Sequence, residues 1–335
     1  MRTLRILGCF LLLPAAAALA QGSSPGAAAR PSEQDFPRRQ VSIVHQFTPG
    51  IGGDTLARII APHLGELWKQ PVVVESRPGA SGTIATAMVA KSAPDGHTML
   101  LMANTYTMMP SLFKNLMQFD PENDFAAVGM LAVTSYVLAV NPDRVAAQDL
   151  DHFIAEVKAS TGKYGYASPG NGTPMHLGSE IFKLRLGLDI LNVPYKGSAG
   201  AITDLVGGRV QMMFTTIPTG LPHIRSGRLR ALAVTGARRS PQLPSVPTFR
   251  ERGMDYMDSI DGWYGILVPA RTPPATIARI HQDFEAVMQR PDVQEALSRQ
   301  AITPAVSAPE KFAGVVKSDI ALWRRLIAEM KISAE

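Results

Sequence analysis

The sequence contains almost no cysteine: Cys9 is the only one among 335 residues. It lies in an N-terminal segment with the features of a removable signal, so the mature chain would carry no thiol. Disulfide bridges and thiol catalysis are then both excluded. A chain of this length buries enough apolar surface to fold without disulfides. Lipid attachment at Cys9 is disfavoured because too short an apolar stretch precedes it.

Long hydrophobic runs are also missing. The apolar stretch near the N-terminus follows Arg2 and Arg5 and ends in Ala18-Leu19-Ala20, which is the pattern of a secretory signal peptide. We predict a signal peptide over residues 1–20, cleavage before Gln21, and export to the periplasm. The stretch is too short for a comfortable membrane span, and no later stretch is long enough either.

The chain has no strong excess of charge. Its 33 lysines and arginines stand against 28 acids, and removal of the two arginines in the signal leaves a net charge of about +3. No basic run with interleaved aromatic residues occurs, so the sequence does not support a nucleic-acid partner.

The motifs of common enzymes and metal sites are absent as well. The sequence has no G-x-S-x-G, no G-x-x-x-x-G-K-[ST] and no H-E-x-x-H, and its seven histidines are scattered without ligand spacing. The stretch SPGNGTPM lacks the third glycine of a dinucleotide fingerprint. We therefore expect no metal, no cofactor and no nucleophile–base pair.

Strand-like and helix-like segments alternate along most of the chain. Such an alternation is typical of α/β folds with largely parallel sheets. Strands are predicted at residues 40–47, 71–75, 97–103, 130–140, 163–167, 189–195, 209–216, 229–236 and 262–270.

The alternation divides into two units. Residues 21–39 are rich in Gly, Ser, Pro and Ala and predict a disordered leader. We expect a first lobe from residues 40–141 plus 262–335 and a second lobe from residues 142–261. Two chain crossings between the lobes would form a hinge with a cleft beside it.

The loops after the predicted strands share one chemistry. They are rich in Gly, Ser, Thr and Asn, carry few charges, and several lead into helices, as in SPGNGTPMHLGSE at residues 168–180. Helix starts offer unpaired N–H groups, and ligands of α/β sheets bind at the carboxyl ends of strands. These loops therefore predict a cleft that binds a small anion.

Several residues at strand ends are candidates on these grounds alone. Asn104 and Thr105 follow the third strand, although turn and cap chemistry would also explain them. Tyr195 and Lys196 lie at another strand end, where Lys196 is either a cleft cation or a solvated surface charge. Thr215 ends a further strand.

Five stretches together resemble a known family. The resemblance is to the substrate-binding receptors of tripartite tricarboxylate transporters, the Bug family, and runs from about residue 40 to the C-terminus. The stretches are FTPGIGGDTLARIIAPHL, PVVVESRPGASGTIATAMVAKSAPDGHTML, YASPGNGTPMHLGSEIF, VPYKGSAGAITDLVGGRVQMMF and GWYGILVPARTP.

The resemblance implies a two-lobed, periplasmic-binding-protein-like fold of type II, with a hinge and an inter-domain cleft. It implies a monomeric receptor that closes on a small carboxylate and delivers it to an integral membrane permease. It also implies which residues hold the carboxylate. These are Phe47, Thr48, Gly50, Asp54, Ala80 and Ser81 in the first lobe, and Ser168, Asn171, Thr173 and His176 in the second.

The sequence departs from the family pattern at a few of these positions. Ile51 stands where glycine is usual, Gly53 where threonine is usual, and Ser81 where glycine is usual. Ile51 would make the first-lobe loop narrower and more apolar. We therefore expect a ligand with an apolar part to be preferred over citrate.

Two other functions stay open at this point. One is a secreted α/β enzyme that uses Asp54 or His176 in the cleft, and the other is a receptor that presents its closed form to a sensor domain. Asp54 also has a plain structural interpretation as the N-cap of the following helix.

Overall fold

The computed structural model describes residues 36–47, 49, 52–79 and 82–332. The predicted signal peptide, with Cys9, and most of the predicted leader lie outside this part of the chain. Within the described residues, no helix combines the length and apolar character that a membrane span requires.

The first sheet has six strands in the order β11-β4-β10-β3-β1-β2. Strand β1 pairs in parallel with β2 and β3, whereas β10 runs antiparallel to β3 and β4. All eight residues of β10 are buried, as expected of a central strand covered on both faces. The strands are Val41–His45 (β1), Val72–Ser76 (β2), Thr98–Ala103 (β3), Phe125–Thr134 (β4), Gly262–Pro269 (β10) and Thr303–Pro304 (β11).

The second sheet has five strands in the order β7-β6-β8-β5-β9. Strand β6 is parallel to β7 and β8, and β5 is antiparallel to β8 and β9. The strands are Tyr136–Val140 (β5), Tyr164–Ser168 (β6), Ile190–Pro194 (β7), Met212–Thr216 (β8) and Arg230–Val234 (β9).

Ten helices connect the described strands or follow them. Most have one apolar stripe that packs on a sheet. Their bounds are Gly53–Trp68 (α1), Thr83–Ala90 (α2), Thr105–Leu112 (α3), Leu150–Lys158 (α4), Pro174–Leu186 (α5), Ser198–Val206 (α6), Ile217–Arg225 (α7), Pro274–Met288 (α8), Pro291–Arg299 (α9) and Pro309–Met330 (α10). The predicted α/β architecture with two units is confirmed.

The single strand predicted over residues 130–140 is wrong. The chain leaves the first sheet after Thr134 and enters the second sheet one residue beyond Ser135, and two short apolar strands in succession look like one long strand. The return crossing passes close by, because a Cβ on Gly262 would lie 2.5 Å from Cγ2 of Thr134. The chain thus passes from the first sheet to the second before Asn141, the residue at which we predicted that the first lobe ends. The predicted lobe boundary itself stays a prediction.

The end of the predicted leader is packed against the first sheet. Phe36 is buried, and its ring meets Trp68 edge-on at a centroid distance of 5.6 Å. Arg39 pairs with Asp95 at 2.9 Å. For residues 36–39 the prediction of a disordered leader is therefore wrong, because one aromatic side chain in a polar segment suffices to anchor it.

Helix α10 packs on both sheets. Near its start, Phe312 meets Trp263 of the first sheet edge-on at 5.0 Å. Near its end, Trp323 is fully buried in a core that also contains Phe182 of α5. We expected residues 262–335 to return to the first unit, and the helix instead contacts the cores of both.

A hydrogen-bonded cluster ties the two crossings together. The N–H of Tyr136 donates to Oγ1 of Thr235 at 2.8 Å, and the hydroxyl of Thr235 donates to the carboxylate of Asp261. Nδ2 of Asn104 donates to the carbonyl oxygen of Asp261 at 3.0 Å. Burial is the main cause that raises the pKa of Asp261 to about 7; the hydrogen bond from Thr235 opposes this rise, and the nearby charge of Asp258 adds a smaller contribution to it.

This raised pKa predicts a pH dependence of stability. The folded state binds the Asp261 proton more tightly than the unfolded state, so the free energy of unfolding falls as pH rises from about 4 to about 7. Asp261→Asn still accepts the Thr235 bond but does not ionise. We expect the stability of this variant, relative to wild type, to rise between pH 5 and pH 8 in urea unfolding. Parallel curves for both proteins would contradict this, and the exposed Asp189→Asn serves as the control.

Candidate functional site

A cavity of about 320 Å³ lies between the carboxyl ends of the strands of the two sheets. Such a position is the usual ligand site of α/β folds. Both sheets and the helices that follow them contribute to its walls. The lining residues are Phe47, Gly52, Thr55, Thr134, Met175, Ser198, Thr216, Pro218, Thr219, Tyr264, Gln300 and Ile302.

Three helices begin at this cavity without a side-chain cap. Their N-cap residues are Gly52 for α1, Gly197 for α6 and Thr216 for α7, and no side chain of the described residues closes any of these helix starts. Gly52 and Gly197 both have positive φ, which glycine adopts without strain. The first N–H groups of α1 and α6 and the positive ends of the three helix dipoles can therefore bind an anion. In α7 the donors are the N–H groups of Ile217 and Thr219, because Pro218 between them has none.

Helix α5 differs because its own residues cap it. Oγ1 of Thr173 accepts a hydrogen bond from the N–H of His176 at 3.3 Å and donates to the carbonyl oxygen of Gly170 at 2.8 Å. Nδ1 of His176 accepts from the N–H of Gly172 at 3.2 Å, which places the ring proton on Nε2. Burial lowers the pKa of His176, so the ring is neutral at pH 7. Thr173 and His176 thus shape the turn before α5.

The other two candidates in this loop, Ser168 and Asn171, are both hydrogen-bonded to Asn192. Ser168 is fully buried and donates to Oδ1 of Asn192 at 3.1 Å. Nδ2 of Asn192 donates to Oδ1 of the exposed Asn171 at 3.4 Å. None of the four predicted residues of this loop is part of the cavity wall described above, although Met175 of α5 is.

Asp54 is buried in the first turn of α1. The helix begins at Gly53 with Gly52 as its N-cap, so the interpretation of Asp54 as the N-cap is wrong. Its carboxylate lies 3.0 Å from Nε2 of the fully buried His45, and Nε of Arg58 donates to both of its oxygens at 2.9 and 3.0 Å. Burial outweighs this carboxylate and lowers the pKa of His45. The carboxylate therefore holds β1 and α1 together beside the cavity.

Phe47 is the predicted first-lobe residue that lines the cavity. Its ring packs over the start of α1, where a Cβ on Gly53 would overlap it. The ring also meets Tyr264 edge-on at a centroid distance of 5.7 Å. The unusual glycine at position 53 thus makes room for this aromatic pair.

Thr48, Gly50, Ala80 and Ser81 lie outside the described residues, as does Ile51. Asn104 and Thr105 lie within the described residues, and each makes a hydrogen bond that connects two segments of the fold. Asn104 is buried and bonds to the crossing strand, and Oγ1 of Thr105 accepts from Nε2 of Gln46 at 2.7 Å.

Tyr195 and Lys196 lie in the loop before α6. The hydroxyl of Tyr195 donates to Oδ2 of Asp204 at 2.8 Å, and this bond raises the pKa of Tyr195, although burial is the larger cause. Lys196 is exposed to solvent. The cavity is instead reached by Ser198, at the first position of the same helix.

Thr215 is one residue away from the cavity. It is buried in β8 and packs under α7, where a Cβ on Gly220 would lie 2.9 Å from its Cγ2. Neighbouring strand residues face opposite ways, so Thr216 lines the cavity. The pattern of hydroxyl residues thus indicated a strand end that borders the cavity, and a ligand contact of Thr215 stays a prediction.

Tyr264, Thr216 and Thr219 are cavity residues that we did not predict. Oγ1 of Thr216 and Oγ1 of Thr219 lie 2.8 Å apart, so both hydroxyls face the start of α7. Trp263, which precedes Tyr264, is buried and donates through Nε1 to Asp319 at 2.9 Å. For Thr216 and Thr219, the available sequence signal was a threonine at a strand end followed by a second threonine three residues later.

None of the described lining residues carries a charge. Tyr264 is the one with an ionisable hydroxyl, and burial raises its pKa to about 12, so it is neutral at physiological pH. Within the described residues no three His, Cys, Asp or Glu side chains approach closely enough to hold a metal ion. The described wall therefore offers N–H and O–H donors, apolar surface and no cation.

Comparison with known proteins gives the family. The model of the tripartite tricarboxylate transporter family receptor, TctC, matches residues 56–332. The chain belongs to this family. BugT of Bordetella pertussis is 34% identical to this receptor over 335 residues, which cover 98% of this chain and 97% of BugT. The resemblance to Bug-family receptors is thus confirmed, and the matched family is one of receptors rather than enzymes.

Solved structures of similar proteins support the same conclusion. Rpa4515 of R. palustris, solved with adipate, is 31% identical, covers 89% of this receptor and 99% of its own chain, and has a TM-score of 0.77. MatC of Rhodopseudomonas palustris, solved with bound malate, is 28% identical, covers 87% and 100%, and has a TM-score of 0.73. These similarities confirm the predicted fold class.

The starts of α5 and α7, which both follow strands of the second sheet, predict different effects of mutation. In Ser168→Ala/Thr173→Ala, loss of the cap lowers the free energy of unfolding by about 1 kcal/mol, and the hydroxyls removed are already bonded within their loop. In Thr216→Ala/Thr219→Ala, the hydroxyls removed belong to the cavity lining, and although they bond to each other, the hydroxyl that accepts this bond keeps its own proton free to donate. We expect the second variant to bind a carboxylate ligand more weakly than the first, as measured by calorimetric titration. A larger loss of affinity in the first variant would contradict this.

Proposed function

We propose that this protein is a periplasmic receptor that captures a small carboxylate and delivers it to a membrane permease. The observation that carries the proposal is the cavity whose described lining is uncharged and at which α1, α6 and α7 begin with N-cap residues that make no side-chain cap bond. Helix starts bind carboxylates through N–H groups and dipoles, without a cation. The adipate and malate bound to similar proteins support this ligand class.

Capture proceeds by binding and closure. A carboxylate that contacts α1 on one side and α6 or α7 on the other binds more tightly when the two sides approach. Such a ligand shifts the population toward the closed form by its differential affinity for that form. The crossings at Thr134 and Gly262 are where this movement would pivot.

Location and partners follow from the family and from the N-terminal segment. The pattern of a signal peptide over residues 1–20 supports export to the periplasm. A receptor of a tripartite transporter requires integral membrane subunits to accept its ligand. We expect the receptor itself to act as a monomer.

The ligand has an apolar part. Phe47, Met175, Pro218 and Ile302 supply apolar surface next to the donors of the cavity, and Ile51 adds another apolar residue to the loop before α1. A ligand with three carboxylates would leave charge against this surface, which is costly. We therefore expect a carboxylate with an apolar body to bind more tightly than citrate.

A thermal-shift screen of organic acids on the mature protein tests the proposal. Binding to the folded state at 100 times Kd adds about 2.7 kcal/mol to the free energy of unfolding, which for a chain of this size raises Tm by about 4 °C. We expect such a shift from at least one of succinate, malate, adipate, benzoate and nicotinate, and a smaller one from citrate. The neutral amides of the same acids are the controls.

Two results would overturn the proposal. One is the absence of any shift with these acids, and the other is turnover of one of them by the purified protein. A citrate shift larger than that of every other acid would leave the receptor function in place but would contradict the expected apolar body.

A further inference from the structure

Tyr264 brings a buried hydroxyl to the cavity from the strand that returns to the first sheet. Its ring is held by the edge-on contact with Phe47, and the residue is only 7% exposed. The backbone of β10 fixes its position, because this part of the strand is paired on both sides with β3 and β4. The side chain therefore has little freedom to choose another direction.

The Tyr264 hydroxyl lies at the start of α1. A Cβ on Gly52 would be 2.7 Å from Oη of Tyr264, so this hydroxyl occupies the space next to the N-cap. A side chain larger than glycine at position 52 would collide with it. The hydroxyl and the first N–H groups of α1 thus border the same side of the cavity.

Within the described part of the chain, Oη of Tyr264 has no hydrogen-bond partner. The residue lines the cavity, so its hydroxyl is free to bond to a ligand or to an ordered water there. Since burial raises its pKa to about 12, the hydroxyl keeps its proton and does not repel an anion. It is therefore a neutral donor that faces the cavity.

We propose that Oη of Tyr264 donates a hydrogen bond to a carboxylate of the ligand at the start of α1, and thereby selects a ligand whose end is an oxygen acceptor there. This inference rests on the proposed function and names a contact within that site. A phenylalanine at this position would keep the ring contact with Phe47 but present only C–H groups. It would remove the donor and leave the shape of the wall unchanged.

Tyr264→Phe tests the inference, with Tyr256→Phe as the matched control. The control removes a hydroxyl that also lacks a partner in the described part of the chain, but its residue lies in the core of the second sheet, away from the cavity. The probe is the acid from the screened panel that binds wild type most tightly, titrated by calorimetry. We expect Tyr264→Phe to bind it about 10- to 100-fold more weakly, as for loss of a hydrogen bond to a charged group, and the control to bind as wild type.

Two further measurements separate a lost contact from a damaged fold. Thermal unfolding without ligand should be unchanged in Tyr264→Phe, because the ring and its packing remain. The ratio of wild-type to variant affinity should stay constant between pH 6 and pH 9, because the phenol does not ionise in this range.

The outcomes distinguish this inference from the proposed function. If wild type binds one of the acids and Tyr264→Phe binds it equally well, the inference is wrong and the receptor function stands. A ratio that collapses as the pH rises toward 9 would likewise overturn it. If wild type binds none of the acids, the proposed function fails and the inference fails with it.

Discussion

The constraint on which the site depends is that three helices begin at one cavity where no described N-cap side chain closes them. In the described part of the chain, Asp149 caps α4 and Thr173 caps α5. At α1 and α6 the N-cap is a glycine that has no side chain to offer. Those N–H groups at a helix start that no protein atom satisfies must bond to water or to a ligand, and a carboxylate can satisfy several of them at once.

The arrangement of the sheets places these helix starts opposite one another. Helix α1 follows a strand of the first sheet, and α6 and α7 follow strands of the second. The sheets are joined by two closely spaced crossings and by α10, which packs on both cores. In the proposed capture by closure, the pivot would be near Thr134 and Gly262, and opening would separate the donors of α1 from those of α6 and α7.

Sequence patterns predicted the architecture better than the side-chain contacts. Apolar runs and loop composition located most strands and the strand ends that border the cavity, because these depend on local chemistry. They could not fix register, because the predicted residue is Thr215 and it is its neighbour Thr216 that lines the cavity. They also could not show that the side chain of Thr173 caps α5, because this depends on which hydrogen-bond partners the fold brings together.

The placement of charge explains how such a receptor can both hold and release an anion. Asp54, His45 and Arg58 form a charged cluster close to the cavity, but the cluster is used to fix β1 to α1. A cation in the wall of one side would bind a carboxylate strongly without any contribution from the other side. Neutral donors divided between two sides are each weak, and they act together only when the sides are close. Affinity then depends on closure, and opening is sufficient to release the ligand.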